Sequence, residues 1–385
     1  MSSVSPGRGG RKARHGRLKC RAAPNRNPSR VTPAVFSTAP DAALEALFVP
    51  FETGALALPR DGRALFLRAR DGFRLREMAG AGWHCEQTFK PFADALQRSG
   101  LRLAGPDGDE RFPLVLLLPP RQRDEARALF ARAVGRVTPG GIVLAAVPNA
   151  EGAKSAEGDL ARLAGPLQQL SKHKCRVFWV APSEQGVDAG LLAEWLALDA
   201  PRPNDAGFLS RPGLFAWDRV DAASALLASH LPGDLAGHVA DLGAGYGFLS
   251  TQVIAHCPAV SAIDLYEAEA RALEPARLNL EQARQASGRP VGIALHWHDV
   301  TQGLPGRYDV VVSNPPFHQG REDLPDLGRA FIQVAADALL PHGRLWLVAN
   351  RHLPYEATLA SRFGEVRTVT VQDGFKVIEA RGVHA

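Results

Sequence analysis

Short apolar runs alternate along most of the chain with stretches whose apolar positions recur at three- and four-residue steps. The runs predict strands at Ala64–Leu67, Leu114–Leu118, Ile142–Val147 and Val177–Val180 in the first half. Further runs predict strands at Val239–Leu242, Val260–Asp264, Ile293–Asp299, Tyr308–Val312 and Leu345–Ala349 in the second. Helical spacing predicts amphipathic helices over Phe89–Gln97, Asp124–Val134, Ala222–Leu231, Phe248–Cys257, Glu267–Ala286 and Gly328–Leu340, with Pro275 set to kink or split the fifth. Val366–Val371 and Phe375–Ala380 read as a closing antiparallel pair. Strands alternating with helices mean an α/β fold built on parallel sheets.

The two halves echo each other. Val115 to Pro120 lines up with Val311 to Pro316, and Pro139-x-Gly141 before an apolar strand lines up with Pro341-x-Gly343. This predicts a duplicated domain. Where the second copy has Asn314 the first has Leu118, and residues 64–72 hold no glycine cluster, so the first copy is expected to be degenerate. Between the copies, a predicted helix over Leu191–Leu198 and then Pro201, Pro203, Asn204 and Gly207 suggest a connector. The expected division is a tail at 1–40, a degenerate domain at 41–182, a linker at 183–210 and an intact domain at 211–385.

Composition changes this picture in two places. Apolar residues make up 45% of 385, enough for sizeable cores, yet no run reaches the ~18 residues that span a bilayer. The net charge of +5 is uneven: residues 1–40 carry nine Lys or Arg and no acid, which leaves −4 for the rest. That Gly-, Pro- and Arg-rich tail is expected to be disordered, and it reads as a basic arm for RNA phosphates, a transit-peptide-like segment or a functionless extension. Cys20, Cys85, Cys175 and Cys257 stand far apart with no zinc spacing, which fits a reducing cytosol and no metal site. His296 and His298 read as ordinary strand residues.

Candidate chemistry concentrates in the second half. The strand before Asn314 is stopped by Pro315 and Pro316, which forbid both ladder pairing and an immediate helix. Asn314 is thereby held at a strand's carboxyl end, where open α/β sheets bind ligands. Its amide oxygen and the Pro315 carbonyl are two acceptors suited to an –NH2 group on a flat ring, and Phe317 offers a face for stacking. Upstream, Asp241-Leu242-Gly243-Ala244-Gly245-Tyr246-Gly247 runs from a strand through a glycine-rich turn into a helix. Such glycines let backbone approach a ligand, and Asp264 is expected to end the next strand as a ribose acceptor. Asp299, ending a third strand, suits an adenine amino group. Asp221 reads as the N-cap of the helix that precedes the glycine turn.

These motifs, in this order, resemble those of class I S-adenosylmethionine-dependent methyltransferases over about residues 239–380. The sharper likeness is to the ribosomal RNA guanine-N2 methyltransferases, the small-subunit 16S group among them. It rests on Asn314-Pro315-Pro316-Phe317-His318 with Gly320, on Pro212-Gly213-Leu214-Phe215 through Asp221, and on Phe375-Lys376-Val377. The resemblance implies two tandem Rossmann-like methyltransferase domains, the first degenerate. It implies S-adenosyl-L-methionine as cofactor, held by Asp241, Gly243, Ala244, Gly245, Gly247, Asp264 and Asp299. It implies catalysis by Asn314, Pro315 and Phe317, a ribosomal RNA or subunit as partner, and a cytoplasmic place. Ala222-Ala223-Ser224 departs from the Gly-Thr or Gly-Ser pair usual after Asp221, and the basic tail is foreign to the family. Large-subunit guanine N2, adenine N6 and protein glutamine stand as alternative acceptors, although Phe317 stands where the last two usually have tyrosine. A catalytically silent RNA-binding scaffold is the alternative outside enzymes.

Overall fold

A computed structural model describes residues 41–105, 108–316, 318–319, 322–323 and 325–384, without the side chains of 318–319 and 322–323. The basic tail, with Cys20, and Phe317 lie outside the described residues.

The first sheet contains β1 (Ala64–Leu67), β2 (Trp83–Glu86), β3 (Phe112–Leu117), β4 (Val137–Pro148), β5 (Gln168–Lys172) and β6 (Cys175–Val180). Their order across the sheet is β2-β1-β3-β4-β6-β5, parallel up to β4 and antiparallel beyond. Alternate residues feed two cores: Leu65, Val115 and Val143 point to one face, Phe66, Leu116 and Leu144 to the other. Both faces are covered by helices, which is why these strands read as unbroken apolar runs. The covering helices are α1 (Ala42–Glu52), α2 (Phe73–Met78), α3 (Lys90–Arg98), α4 (Arg123–Arg136), α5 (Ala153–Ala164) and α6 (Ala189–Ala197). Helix α6 falls in the stretch expected as a connector, and its Trp195 is 1% exposed inside the first core.

The second sheet contains β7 (Ala236–Leu242), β8 (Ala259–Glu267), β9 (Gly292–Trp297), β10 (Tyr308–Ser313), β11 (Leu339–Asn350), β12 (Phe363–Gln372) and β13 (Phe375–Val383). Its order is β9-β8-β7-β10-β11-β13-β12, again parallel until an antiparallel pair closes the edge. Helices α7 (Ala222–His230), α8 (Phe248–His256), α9 (Leu273–Ser287), α10 (Pro325–Ala338) and α11 (Glu356–Arg362) complete this Rossmann-like layer. Pro275 neither kinks nor splits α9, because the helix begins at Leu273 and the proline sits in its first turn, where no intrahelical N–H is needed.

The sheets repeat one design, with β9 reduced in the first copy to a single bridge between Cys85 and Leu103. Strands β4 and β11 are both 12 residues long and share the same sequence of buried and exposed positions. Gly141 and Gly343 occupy the same tight spot in each: a Cβ would come within 3.0 Å of Thr138 O in one and 2.9 Å of the equivalent Leu340 O in the other.

The domains meet through the segments that leave β2 and β8. Lys90 N–H donates to Ala268 O (2.8 Å) and Ala270 N–H donates to Thr88 O (2.9 Å), a reciprocal pair around a bridge between Phe89 and Glu269. Within each segment the same local bond recurs: Gln87 Oε1 accepts from Phe89 N (2.9 Å), and Glu267 Oε1 accepts from Glu269 N (2.7 Å). Gln87 to Lys90 therefore correspond one for one to Glu267 to Ala270.

Candidate active site

Strand β10 delivers Asn314 to the carboxyl edge of the second sheet, where Ser313 Oγ donates to Leu242 O (2.8 Å) and ties the two central strand ends together. Asn314 Nδ2 donates to Asp221 Oδ2 (2.9 Å) and to Ser224 Oγ (2.8 Å). A carboxylate only accepts, so Asp221 fixes which end of the amide faces it. Asn314 Oδ1 is left pointing the other way, buried and without a hydrogen-bond partner. An orphaned buried acceptor carries a penalty of about 1–3 kcal/mol, which a donor from a ligand would relieve. The same Asp221 oxygen caps α7 through Ser224 N (2.8 Å), so cap and amide anchor are one group. Sequence reading took Asp221 for the cap alone and missed Ser224.

Asn314, Pro315 and Pro316 form one side of a cavity of about 620 Å3. Gly243, Gly245, Glu267, Asp299, Val300 and Thr301 line it further along, and Phe89, Pro91 and Phe92 reach it from the first domain. A side recess of about 40 Å3 lies between Ala244, Ser224 and Asn314. Gly243 and Gly245 have φ of 72° and 55°, and space beyond Gly245 is open, so backbone forms this wall where a side chain would intrude. Asp299 is 9% exposed, and its Oδ1 accepts from Thr301 N (3.0 Å) and Thr301 Oγ1 (2.7 Å).

Three expected cofactor residues are placed elsewhere. Asp264 does not end its strand: β8 runs on to Glu267, and Asp264 turns into an interior network where Tyr308 O–H donates to its Oδ2 (2.8 Å) and His238 Nε2 approaches its Oδ1 (3.1 Å). The acid at the strand end is Glu267, whose Oε2 accepts from Gly245 N (2.7 Å) beside the cavity. Burial pushes the Glu267 carboxyl above its usual range, while the N–H groups of Glu269, Gly245 and Ala268 pull it back. Asp241 is fully buried behind the glycine turn, with Ser250 Oγ donating to its Oδ2 (2.7 Å). Burial raises its carboxyl to about 7. Gly247 faces neither ligand nor solvent, since a Cβ there would meet Leu280 Cδ1 at 2.5 Å; it serves the packing of α8 on α9.

A cavity with a glycine wall, an acid at the end of its second strand and an acid-capped turn after its third fits a nucleoside cofactor. Among the described residues there is no group of His, Cys, Asp or Glu that could hold a metal, and no helix long and apolar enough to cross a membrane.

Fold and cavity together define a class I methyltransferase, and the family described as the methyltransferase small domain matches residues 205–379. The chain is 31% identical over 311 residues to ribosomal RNA small subunit methyltransferase C of Pseudomonas aeruginosa, covering 80% of this chain and 90% of that protein. The Psychromonas ingrahamii protein of the same name is 28% identical, over 79% of this chain and 87% of its own. The chain belongs to the ribosomal RNA small subunit methyltransferase C family. A solved T. thermophilus 16S rRNA N2 methyltransferase, in complex with AdoMet and guanosine, has the same two-domain fold, with a TM-score of 0.68 over 85% of this chain and 90% of that one at 24% identity.

Proposed function

We propose that this protein transfers a methyl group from S-adenosylmethionine to the exocyclic N2 of a guanine in 16S ribosomal RNA. The observation that carries this reading is Asn314 Oδ1, a buried acceptor with its own amide hydrogens already committed to Asp221 and Ser224. The names of the relatives and the guanosine in the T. thermophilus complex point to the same substrate.

An exocyclic amino group is a weak nucleophile because its lone pair is delocalised into the ring. Asn314 Oδ1 and the Pro315 carbonyl would accept its two N–H bonds and turn the lone pair out of conjugation. The extruded base would stack on Phe317. Asp221 and Ser224 hold the amide in one orientation, so no reorganisation is needed at the moment of transfer. Gly243 and Gly245 would admit the cofactor, Glu267 would accept from its ribose hydroxyls and Asp299 would face its adenine. The cofactor supplies an electrophilic sulfonium methyl; the chain supplies position and a dry cavity.

The test is to incubate the protein with 16S rRNA and assembled small subunits, digest the RNA and identify the methylated nucleoside by mass spectrometry. N2-methylguanosine is expected. N6-methyladenosine, or label in protein instead of RNA, would overturn the reading.

A further inference from the structure

We infer that the degenerate first domain is a working wall of the cofactor cavity, its strap Thr88–Phe92 setting the Glu267 loop and closing the adenine–ribose end with Phe89 and Phe92. The inference rests on the cavity being the S-adenosylmethionine site.

The strap grips the backbone just after Glu267 and the Trp297 side chain just before Asp299. Lys90 N–H holds Ala268 O (2.8 Å), the carbonyl immediately after Glu267. Trp297 Nε1 donates to Thr88 O and to Ala268 O (both 2.8 Å), and Lys90 Nζ lies 5.1 Å from the centre of the Trp297 ring. Trp297 stands two residues before Asp299, so the segments presenting both acids are tied to one piece of the other domain. One Glu267 oxygen, Oε1, is turned by its own loop through Glu269 N (2.7 Å), and the other, Oε2, by the glycine turn through Gly245 N (2.7 Å). The orientation of this carboxylate therefore depends on a loop conformation that the strap pins.

The rings complete the argument. Phe89 and Phe92 pack edge to face at 5.3 Å and line the cavity with Pro91. An apolar aromatic wall beside a flat base excludes water and offers a stacking face. The reciprocal pairing makes the opposite arrangement on the other side. There the first domain's counterpart cavity, about 410 Å3, is lined by Arg68, Glu125 and Arg271, and Arg271 reaches across from the second domain to Glu125 (2.9 Å). Arg68 Nη1 bonds the same carboxylate (2.5 Å), at the end of the strand that corresponds to the one before Gly243. One interface thus builds an aromatic wall for the second domain's cavity and an ion-paired wall for its counterpart in the first.

The experiment uses the full chain. Calorimetric titration with S-adenosylmethionine is run on wild type, Phe89→Ala, Phe92→Ala and Phe92→Tyr, alongside melting curves without ligand and KM for RNA. Loss of a stacking wall should raise Kd about tenfold in the alanine variants. The melting temperature without cofactor and KM for RNA should stay near wild type, and Phe92→Tyr should restore affinity. Unchanged Kd in both alanine variants of a protein that itself binds cofactor would overturn the inference and leave the proposed function standing. So would a fall in affinity matched by a collapse in melting temperature that tyrosine does not rescue. A wild type that binds no cofactor would instead overturn the proposed function, and the inference with it.

Discussion

Replacing Asp221 by alanine separates two tasks that one oxygen performs. Asp221 Oδ2 accepts from Ser224 N (2.8 Å) as the cap of α7 and from Asn314 Nδ2 (2.9 Å) as its anchor. Losing the cap costs about 1 kcal/mol, or roughly 2–4 °C in melting temperature for a domain of this size. Losing the anchor leaves Asn314 Nδ2 with Ser224 Oγ alone, and nothing then forbids the amide from turning over. A hydrogen bond to a charged group is worth about 1.5–3 kcal/mol. If that orientation is needed only as the N–H bonds shift in the transition state, kcat should fall about 10- to 100-fold. Cofactor affinity should change little, because the glycine turn and Glu267 are untouched. Single-turnover transfer of tritiated methyl groups at saturating cofactor, with calorimetric Kd and a melting curve, reads all three quantities. Asp221→Asn keeps a cap and an acceptor and should lie between wild type and alanine. A variant that loses the few degrees but keeps kcat would refute the argument, since Asp221 would then be a cap and nothing more.

Asn314→Ala should abolish transfer while leaving Kd for cofactor near wild type; substantial turnover would remove Asn314 from the mechanism. Glu267→Ala should raise Kd by about 10- to 150-fold, the scale of a lost charged hydrogen bond, whereas Asp264→Ala should leave Kd alone and lower the melting temperature, because the buried Tyr308 and Tyr266 hydroxyl pair loses its carboxyl acceptor (2.8 Å). The reverse ranking of the two acids would restore Asp264 to the ribose. Calorimetry should also find one cofactor per chain, because the first domain has Arg68 and Leu118 where the second has Gly243 and Asn314; a stoichiometry of two would contradict its degeneracy. Asp241 is neutral in the folded state up to about 7, against an ordinary 3.8. Over that window the native protein keeps a proton on Asp241 that the unfolded chain has released, so the contribution of this group to stability should fall as pH rises from about 4 to 7. Asp241→Asn should flatten this slope in denaturant titrations, and identical slopes would show that the carboxyl does not titrate there.

The parts of the site legible in the sequence are those carried by one continuous stretch. Tyr308 to Pro316 states both a buried strand and its stop, and Gly243-Ala244-Gly245 states a backbone wall, because each property belongs to local residue types. Asp264 misled for a local reason as well: it is the first acid after an apolar run, but Leu265 and Tyr266 continue that run and carry the strand to Glu267. The continuation of the apolar run through Leu265 and Tyr266 was the available signal. Asp221 and Ser224 as partners of Asn314 were beyond reach, since 93 and 90 residues separate them and only the folded sheet edge joins them. Phe89 and Phe92 were further still, lying in the other copy. Helices such as α1 were missed because Ala42–Glu52 is apolar on nearly every side, so it shows no polar face from which a period could be read.

The duplication explains why a copy without a ligand site remains part of the machinery. In a reciprocal interface the same backbone bonds serve both partners, Lys90 to Ala268 and Ala270 to Thr88, so neither copy can abandon its segment without unpairing the other's. Side chains carry no such obligation. The first copy could replace its glycine turn with Arg68 and its ligand asparagine with Leu118, lining its own cavity with ion pairs at no cost to its neighbour's loop. What it could not change freely is the strap, which faces outward from its own core and inward toward the second domain's cavity. The first copy has thus lost its outermost strand and the groups that would touch a ligand, while Thr88 to Phe92, built at the end of its second strand, keeps its pairing with the second domain.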